Sequence, residues 1–180
     1  TRCEVPALSG TVVDVRVTEM GAMMGAPSGR GRGMGDWYRD GGDAVYLVSV
    51  DGGNPRRLTW SPAGEHARGW TPDGRRVLFG SGRASAPTPY EKLWTIPVDG
   101  GPGQLVPAYM GFRGSFSPDG KRIVVDRVDR WDVEFRSYRG GQNTPLTITD
   151  VSNGAETRLP NERTMDVDPV WVGETIYFLS

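Results

Sequence analysis

The chain has 180 residues, a formal net charge of −1 and 37% hydrophobic residues, with 26 glycines and 14 prolines. Acids and bases nearly cancel and are interspersed, which argues against a basic face for nucleic acid. No run of about 18 apolar residues occurs, so no membrane-spanning helix is expected.

In chain order, residues 13–17 alternate apolar and polar side chains ("VDVRV") and predict one strand. Next comes a stretch rich in glycine and methionine, "GAMMGAPSGRGRGMGDWYRDGG". It has little to bury and reads as a flexible linker. Residues 1–40 are therefore set apart from residues 41–180. Cys3 is the one cysteine, so no internal disulfide can form. The opening "CEVPALSGTVVDVRVTEMGAMMG" resembles the mature start of bacterial lipoproteins with a cupredoxin-like domain. That resemblance implies a lipidated Cys3 and a place in the cell envelope. It also implies copper handling by Met20, Met23, Met24 and Met34, because thioethers are soft ligands suited to Cu(I). The leading reading of these residues is a free thiol in a reducing compartment, methionines as linker filler, and a cytoplasmic protein with no metal and no cofactor; the cell envelope is the alternative.

From residue 41 onward the chain repeats itself. "VYLVSVDGGNPRRLT" (45–59), "LWTIPVDGGPGQLV" (93–106) and "LTITDVSNGAETRL" (146–159) each carry an alternating strand, a glycine turn and a shorter strand. Interleaved with them are "WTPDGRRVLF" (70–79) and "FSPDGKRIVV" (116–125), whose aspartates Asp73 and Asp119 are 46 residues apart. Pro-Asp-Gly is a turn with a mechanism. Proline fixes φ, aspartate caps its own backbone and glycine takes the left-handed position. A looser third copy, "PVWVGETIYFLS", begins at Pro169, with Trp171 where Trp70 and Phe116 stood.

Four short antiparallel strands at a period in the forties predict β-propeller blades. The expected strands of one blade end at Trp70, follow the turn, run over 92–98 and lie near 104–107. Those of the next are 112–116, 121–126, 145–151 and 156–159. Residues 44–59 supply the outer half of another blade and 168–180 the inner half of a further one. The fold class is all-β: a partial β-propeller over 41–180, about three four-stranded blades, two full and two half. A plain β-sandwich competes, but internal self-similarity argues against it. Three blades fall short of the four to eight of a closed ring. The expectation is a fragment, or a ring completed by further blades or by other copies, with self-association of the isolated chain.

The repeats resemble those of the TolB-like group. More narrowly, they resemble the first, six-bladed propeller of tricorn proteases and their bacterial homologues. The resemblance rests on "PRRLTW", "GWTPDGRRVLF", "LWTIPVDGG", "GSFSPDGKRI", "YRGGQ" and "VDPVWVGETIYFLS", in that order, and covers 41–180. It implies a large serine-peptidase assembly that processes oligopeptides, with its catalytic parts downstream of the first propeller. No catalytic residue carries over onto these positions. The residues agree, since the only histidine, His66, has no Gly-x-Ser-x-Gly partner and reads as a loop or blade-edge residue.

In a propeller the innermost strands line a central channel. Here they would hold Arg68, Arg113, Asp166 and Asp168. These residues are the substrate-channel candidates, a mixed-charge lining that steers peptides. The competing reading pairs the same charges within the blade tops. Arg139, in the insertion before residue 145, is a candidate brace for a neighbouring blade. The expected partner is a peptide or a protein. A TolB-like interaction module of the cell envelope is the alternative function.

Overall fold

The computed structural model describes residues 13–14, 44–49, 54–85, 90–127, 145–160 and 166–180. Cys3, the four linker methionines and Arg139 lie outside these residues. All regular structure among the described residues is strand. No helix there is long and apolar enough to cross a membrane.

Strands β1 (Val13–Asp14), β2 (Tyr46–Ser49) and β3 (Arg56–Arg57) form one sheet. The next sheet has four strands, β4 (Glu65–Trp70), β5 (Arg76–Ser81), β6 (Lys92–Pro97) and β7 (Gln104–Leu105), in that order. Another holds β8 (Arg113–Phe116), β9 (Arg122–Asp126), β10 (Thr147–Asp150) and β11 (Glu156–Arg158). Last come β12 (Val167–Val172) and β13 (Thr175–Leu179), paired with each other. Every pairing is antiparallel. Two full blades and two half-blades stand where the repeats place them.

The turns show why the repeat folds this way. Asp73 accepts hydrogen bonds from the Thr71 hydroxyl (2.6 Å) and the Arg75 amide (3.1 Å). Asp119 accepts from the Ser117 hydroxyl (2.6 Å) and the Lys121 amide (3.1 Å). Gly74 and Gly120 sit at φ 66° and 70°, the left-handed region that a Cβ disfavours. The same bonds hold both carboxyls below their ordinary pKa. The outer strands repeat as well. The amides of Leu58, Val106 and Leu159 each donate at 2.9 Å to the carbonyls of Val45, Leu93 and Leu146.

Alternation then sorts side chains between neighbouring blades. On β5, Val77 and Phe79 face the preceding half-blade, where they join Val45, Leu58 and Ile96. Leu78, between them, faces the following blade and joins Leu93, Val106, Ala108, Phe116, Ile123 and Val125. A second strand is thus apolar on both faces because a blade covers each one. Each such buried side chain contributes about 1.5–3 kcal/mol relative to exposure.

One pairing has no signal in the repeats. β1 lies on β2 with Val13 opposite Ser49 and Asp14 opposite Val48. That is the edge at which the full blades place their second strand.

Candidate functional site

The inner strands β4, β8 and β12 lie side by side, β4 against β8 and β8 against β12. Two of them carry a bulge. The register of β4 against β5 shifts between Ala67 and Gly69, which leaves Arg68 as the extra residue. The register of β12 against β13 shifts between Val167 and Val170, a span that contains Asp168. Asp168 has φ 54°, uncommon for a residue other than glycine. A bulge re-aims a side chain out of the alternating pattern. Arg68 and Asp168 are both candidates from the sequence, and both sit at these irregular points.

Arg68 donates to Glu91 Oε2 at 2.9 Å. Its guanidinium lies 4.0 Å from the Phe112 ring centre, and that of Arg113 lies 5.3 Å from the same ring. Phe112 therefore carries two arginines, each held by the ring's electron-rich face. Arg113 forms an ion pair with Asp168. Behind them Asp126 accepts from the backbone amides of Arg113 (2.6 Å) and Asp168 (3.1 Å), tying β8 and β12 to one carboxylate. Asp166 immediately precedes β12 and is buried.

His66 lies within the inner strand β4 rather than in a loop, because the strand starts one residue earlier, at Glu65. Its Nδ1 is 2.9 Å from Glu91 Oε1. Glu91 thus bridges His66 and Arg68. Gly80, opposite His66 in the sheet, leaves room for the Glu91 carboxylate, since a Cβ there would collide with Oε2. Burial pushes the Glu91 carboxyl up, but the His66 hydrogen bond and the Arg68 charge outweigh it and hold it below its ordinary value. Deeper still, the fully buried Glu65 pairs with Arg83, whose guanidinium lies 5.3 Å from the Phe79 ring and 5.1 Å from Trp94. Burial lowers the pKa of Arg83.

The structure brings Arg68, Arg113 and Asp168 together on adjacent strands, with each charge paired. Sequence reasoning did not single out Glu65, Glu91 or Asp126, the acids that organise them. Each follows from sheet register, which no local pattern encodes. Among the described residues no group of three or more metal-ligating side chains gathers. What the arrangement can do is recognise charge. The Arg113–Asp168 pair is 44% and 33% exposed. An ion pair so open to water is worth about 0–1 kcal/mol, so a ligand's charge can displace either partner at little cost.

Residues 37–180 match the family described as the tricorn protease N-terminal beta propeller domain. The chain is 32% identical over 146 residues to tricorn protease homolog 1 of Streptomyces coelicolor, covering 79% of this chain and 13% of that protein. It is 40% identical over 58 residues to the Tol-Pal system protein TolB of Bordetella pertussis, covering 32% of this chain and 12% of that one. The chain thus spans about an eighth of the length of each of these relatives. Its fold is similar to a putative TolB from Agrobacterium tumefaciens, with a TM-score of 0.55, 21% identity, and coverage of 78% of this chain and 46% of that one. It is also similar to TolB from Acinetobacter baumannii, with a TM-score of 0.51, 20% identity, and coverage of 71% and 29%.

Proposed function

This chain belongs to the tricorn protease N-terminal β-propeller family, and on that premise we propose that it is a non-catalytic propeller segment of a serine peptidase, gating or scaffolding the access of oligopeptides to catalytic domains elsewhere. The observation that carries this reading is the set of paired, partly exposed charges at the inner strands: Arg68 with Glu91, which lies just before β6, and Arg113 with Asp168. A peptide has a charge at each terminus and an extended backbone, and such a set offers both signs within one short reach. The segment would hold or steer the peptide and leave its bonds intact.

The test is binding of fluorescein-labelled hexapeptides to the chain, read by anisotropy at low salt. Binding should weaken about tenfold or more in Arg113→Ala and Asp168→Ala, with far-ultraviolet circular dichroism unchanged. Equal binding by wild type and both variants would sink the role of these strands.

A second reading, a TolB-like protein-interaction propeller, is favoured by the TolB likeness together with two exposed aromatics. Trp60 is 68% exposed and Tyr109 is 70% exposed. Arg57 lies over the first ring and Arg127 over the second. Exposed aromatic–arginine pairs are common anchors of protein interfaces. Loss of a protein partner in Trp60→Ala, with hexapeptide binding retained, would favour this reading.

A further inference from the structure

We infer that Glu91 and Asp126 are equivalent positioning residues: each complete blade sets one carboxylate at the same point behind its inner strand, and that carboxylate fixes where an inner-strand arginine stands. The inference rests on the peptide reading above and deepens it, by naming the residues that govern how a peptide's charge is met.

Counted from the pairs nearest the turns, Trp70–Val77 and Phe116–Ile123, Gly80 and Asp126 stand the same number of steps along β5 and β9. Gly80 lies opposite His66 on β4, and Asp126 lies opposite Arg113 on β8. On β9 the acid is carried at that position. On β5 the position is a glycine, and the acid arrives instead from Glu91, just before β6. The two solutions converge in space. A Cβ on Gly80 would stand 2.3 Å from Glu91 Oε2 and 3.3 Å from its Cδ. The Glu91 carboxylate therefore fills the volume that a side chain at residue 80 would take. Chain order hides the likeness, because the two acids belong to different segments of their blades.

Both carboxylates divide their oxygens in the same way. Glu91 gives Oε1 to His66 Nδ1 and Oε2 to Arg68, each at 2.9 Å. Asp126 gives Oδ1 to the Arg113 amide at 2.6 Å and Oδ2 to the Asp168 amide at 3.1 Å. The two members of the Arg113–Asp168 pair thus hang by their own backbone from one buried carboxylate. The two arginines so placed then meet on the Phe112 ring. Asp126 is 3% exposed. A peptide at the inner strands would reach Arg113 and Asp168 but not the acid that holds them. Hydrogen bonds to an ionised carboxylate are directional and about twice as strong as neutral ones. Their loss would let a charge drift from its place without any change in the groups that touch the peptide.

The experiment transplants the arrangement of one blade into the other. Gly80 lies outside the left-handed region, so its backbone accepts a side chain. Glu91→Ala removes the carboxylate, and Gly80→Asp in the same chain returns one to that point. Arg68 Nε, a buried donor with no hydrogen-bond partner among the described residues, lies 3.2 Å from the new Cβ and can donate to it there. The readout is anisotropy, on the full chain below its melting temperature, of hexapeptides that carry fluorescein on a central cysteine and have either free or capped termini. Wild type should prefer free termini several-fold. The preference should nearly vanish in Glu91→Ala and in Asp126→Asn, whose amide keeps only one of the two accepting oxygens. It should return in the Gly80→Asp, Glu91→Ala double variant. Gly80→Asp alone should lower the melting temperature, because two carboxylates then claim one place; added to Glu91→Ala it should raise it. A preference that survives Asp126→Asn but is lost in Arg113→Ala would overturn the positioning role and leave the peptide reading standing. Gly80→Asp that lowers the melting temperature in both backgrounds would overturn the equivalence of the two acids. A wild type indifferent to capping would overturn the peptide reading and the positioning role with it.

Discussion

The seam between β4–β7 and β8–β11 and the seam between β8–β11 and β12–β13 join blades of the same repeat by different means. The first is centred on a buried apolar cluster that includes Leu78, Leu93, Phe116 and Ile123. Leu93 reaches so close to the next blade that a Cβ on Gly111 or Gly114 would meet its Cδ1 at 2.9 or 3.0 Å. The second is written in polar contacts. The Trp171 amide donates to the Ser115 hydroxyl at 2.9 Å, Arg122 lies 5.0 Å from the Trp171 ring centre, and Asp126 and Arg113 both hold Asp168. An apolar seam gains from area and is indifferent to salt. A polar seam gains from direction and fixes where the charged side chains of β8 and β12 stand. A dry seam and a polar seam thus sit at neighbouring junctions.

The contrast can be broken by substitution. Leu93→Ala should show the largest effect, about 3 kcal/mol lost in urea unfolding, because it opens a cavity at a dry junction. Its cost should be the same in low and high salt. Asp126→Ala comes next, about 2 kcal/mol, since it strands the amides of Arg113 and Asp168 without their acceptor. A smaller loss from Leu93→Ala than from Asp126→Ala would reverse the assignment of the two seams. The smallest effect is one of pH, at the corner where β4 meets β8. The folded-state pKa of Glu91 lies below its ordinary 4.5. Its contribution is therefore complete above about pH 4.5 and is lost as pH falls through the lower folded value. Glu91→Gln should flatten that acid-side slope in pH-dependent melting. An unchanged slope would mean that the bridge to His66 and Arg68 adds nothing.

The strands and turns were legible because their chemistry is local. Pro-Asp-Gly carries its own caps, and alternation names the two faces of β5 and β9. The placing of Arg68, Arg113 and Asp168 on inner strands followed from the repeat. Their partners did not. Glu91 lies just before β6, and only the β5–β6 register sets it over Gly80, next to His66 and Arg68. Asp126 reads as the polar end of an apolar strand, yet it binds two inner strands. The bulges at Arg68 and Asp168 depend on what the neighbouring strand does, and no window of sequence contains that neighbour. For the same reason nothing in residues 13–14 pointed to Ser49 and Val48.

The Pro-Asp-Gly turns also bear on the order in which the molecule forms. Each is wired within six residues, from the Thr71 amide to the Arg76 carbonyl and from the Ser117 amide to the Arg122 carbonyl. Closing so short a loop costs little chain entropy, and hairpins of this kind assemble in about 1–10 microseconds. The seams must wait for segments tens of residues apart in the chain, which come together more slowly. As the chain leaves the ribosome, β4–β5 and β8–β9 can fold as finished hairpins before their covering blades exist. Assembly of the arc is then the docking of ready-made pieces, in the order in which they are synthesised.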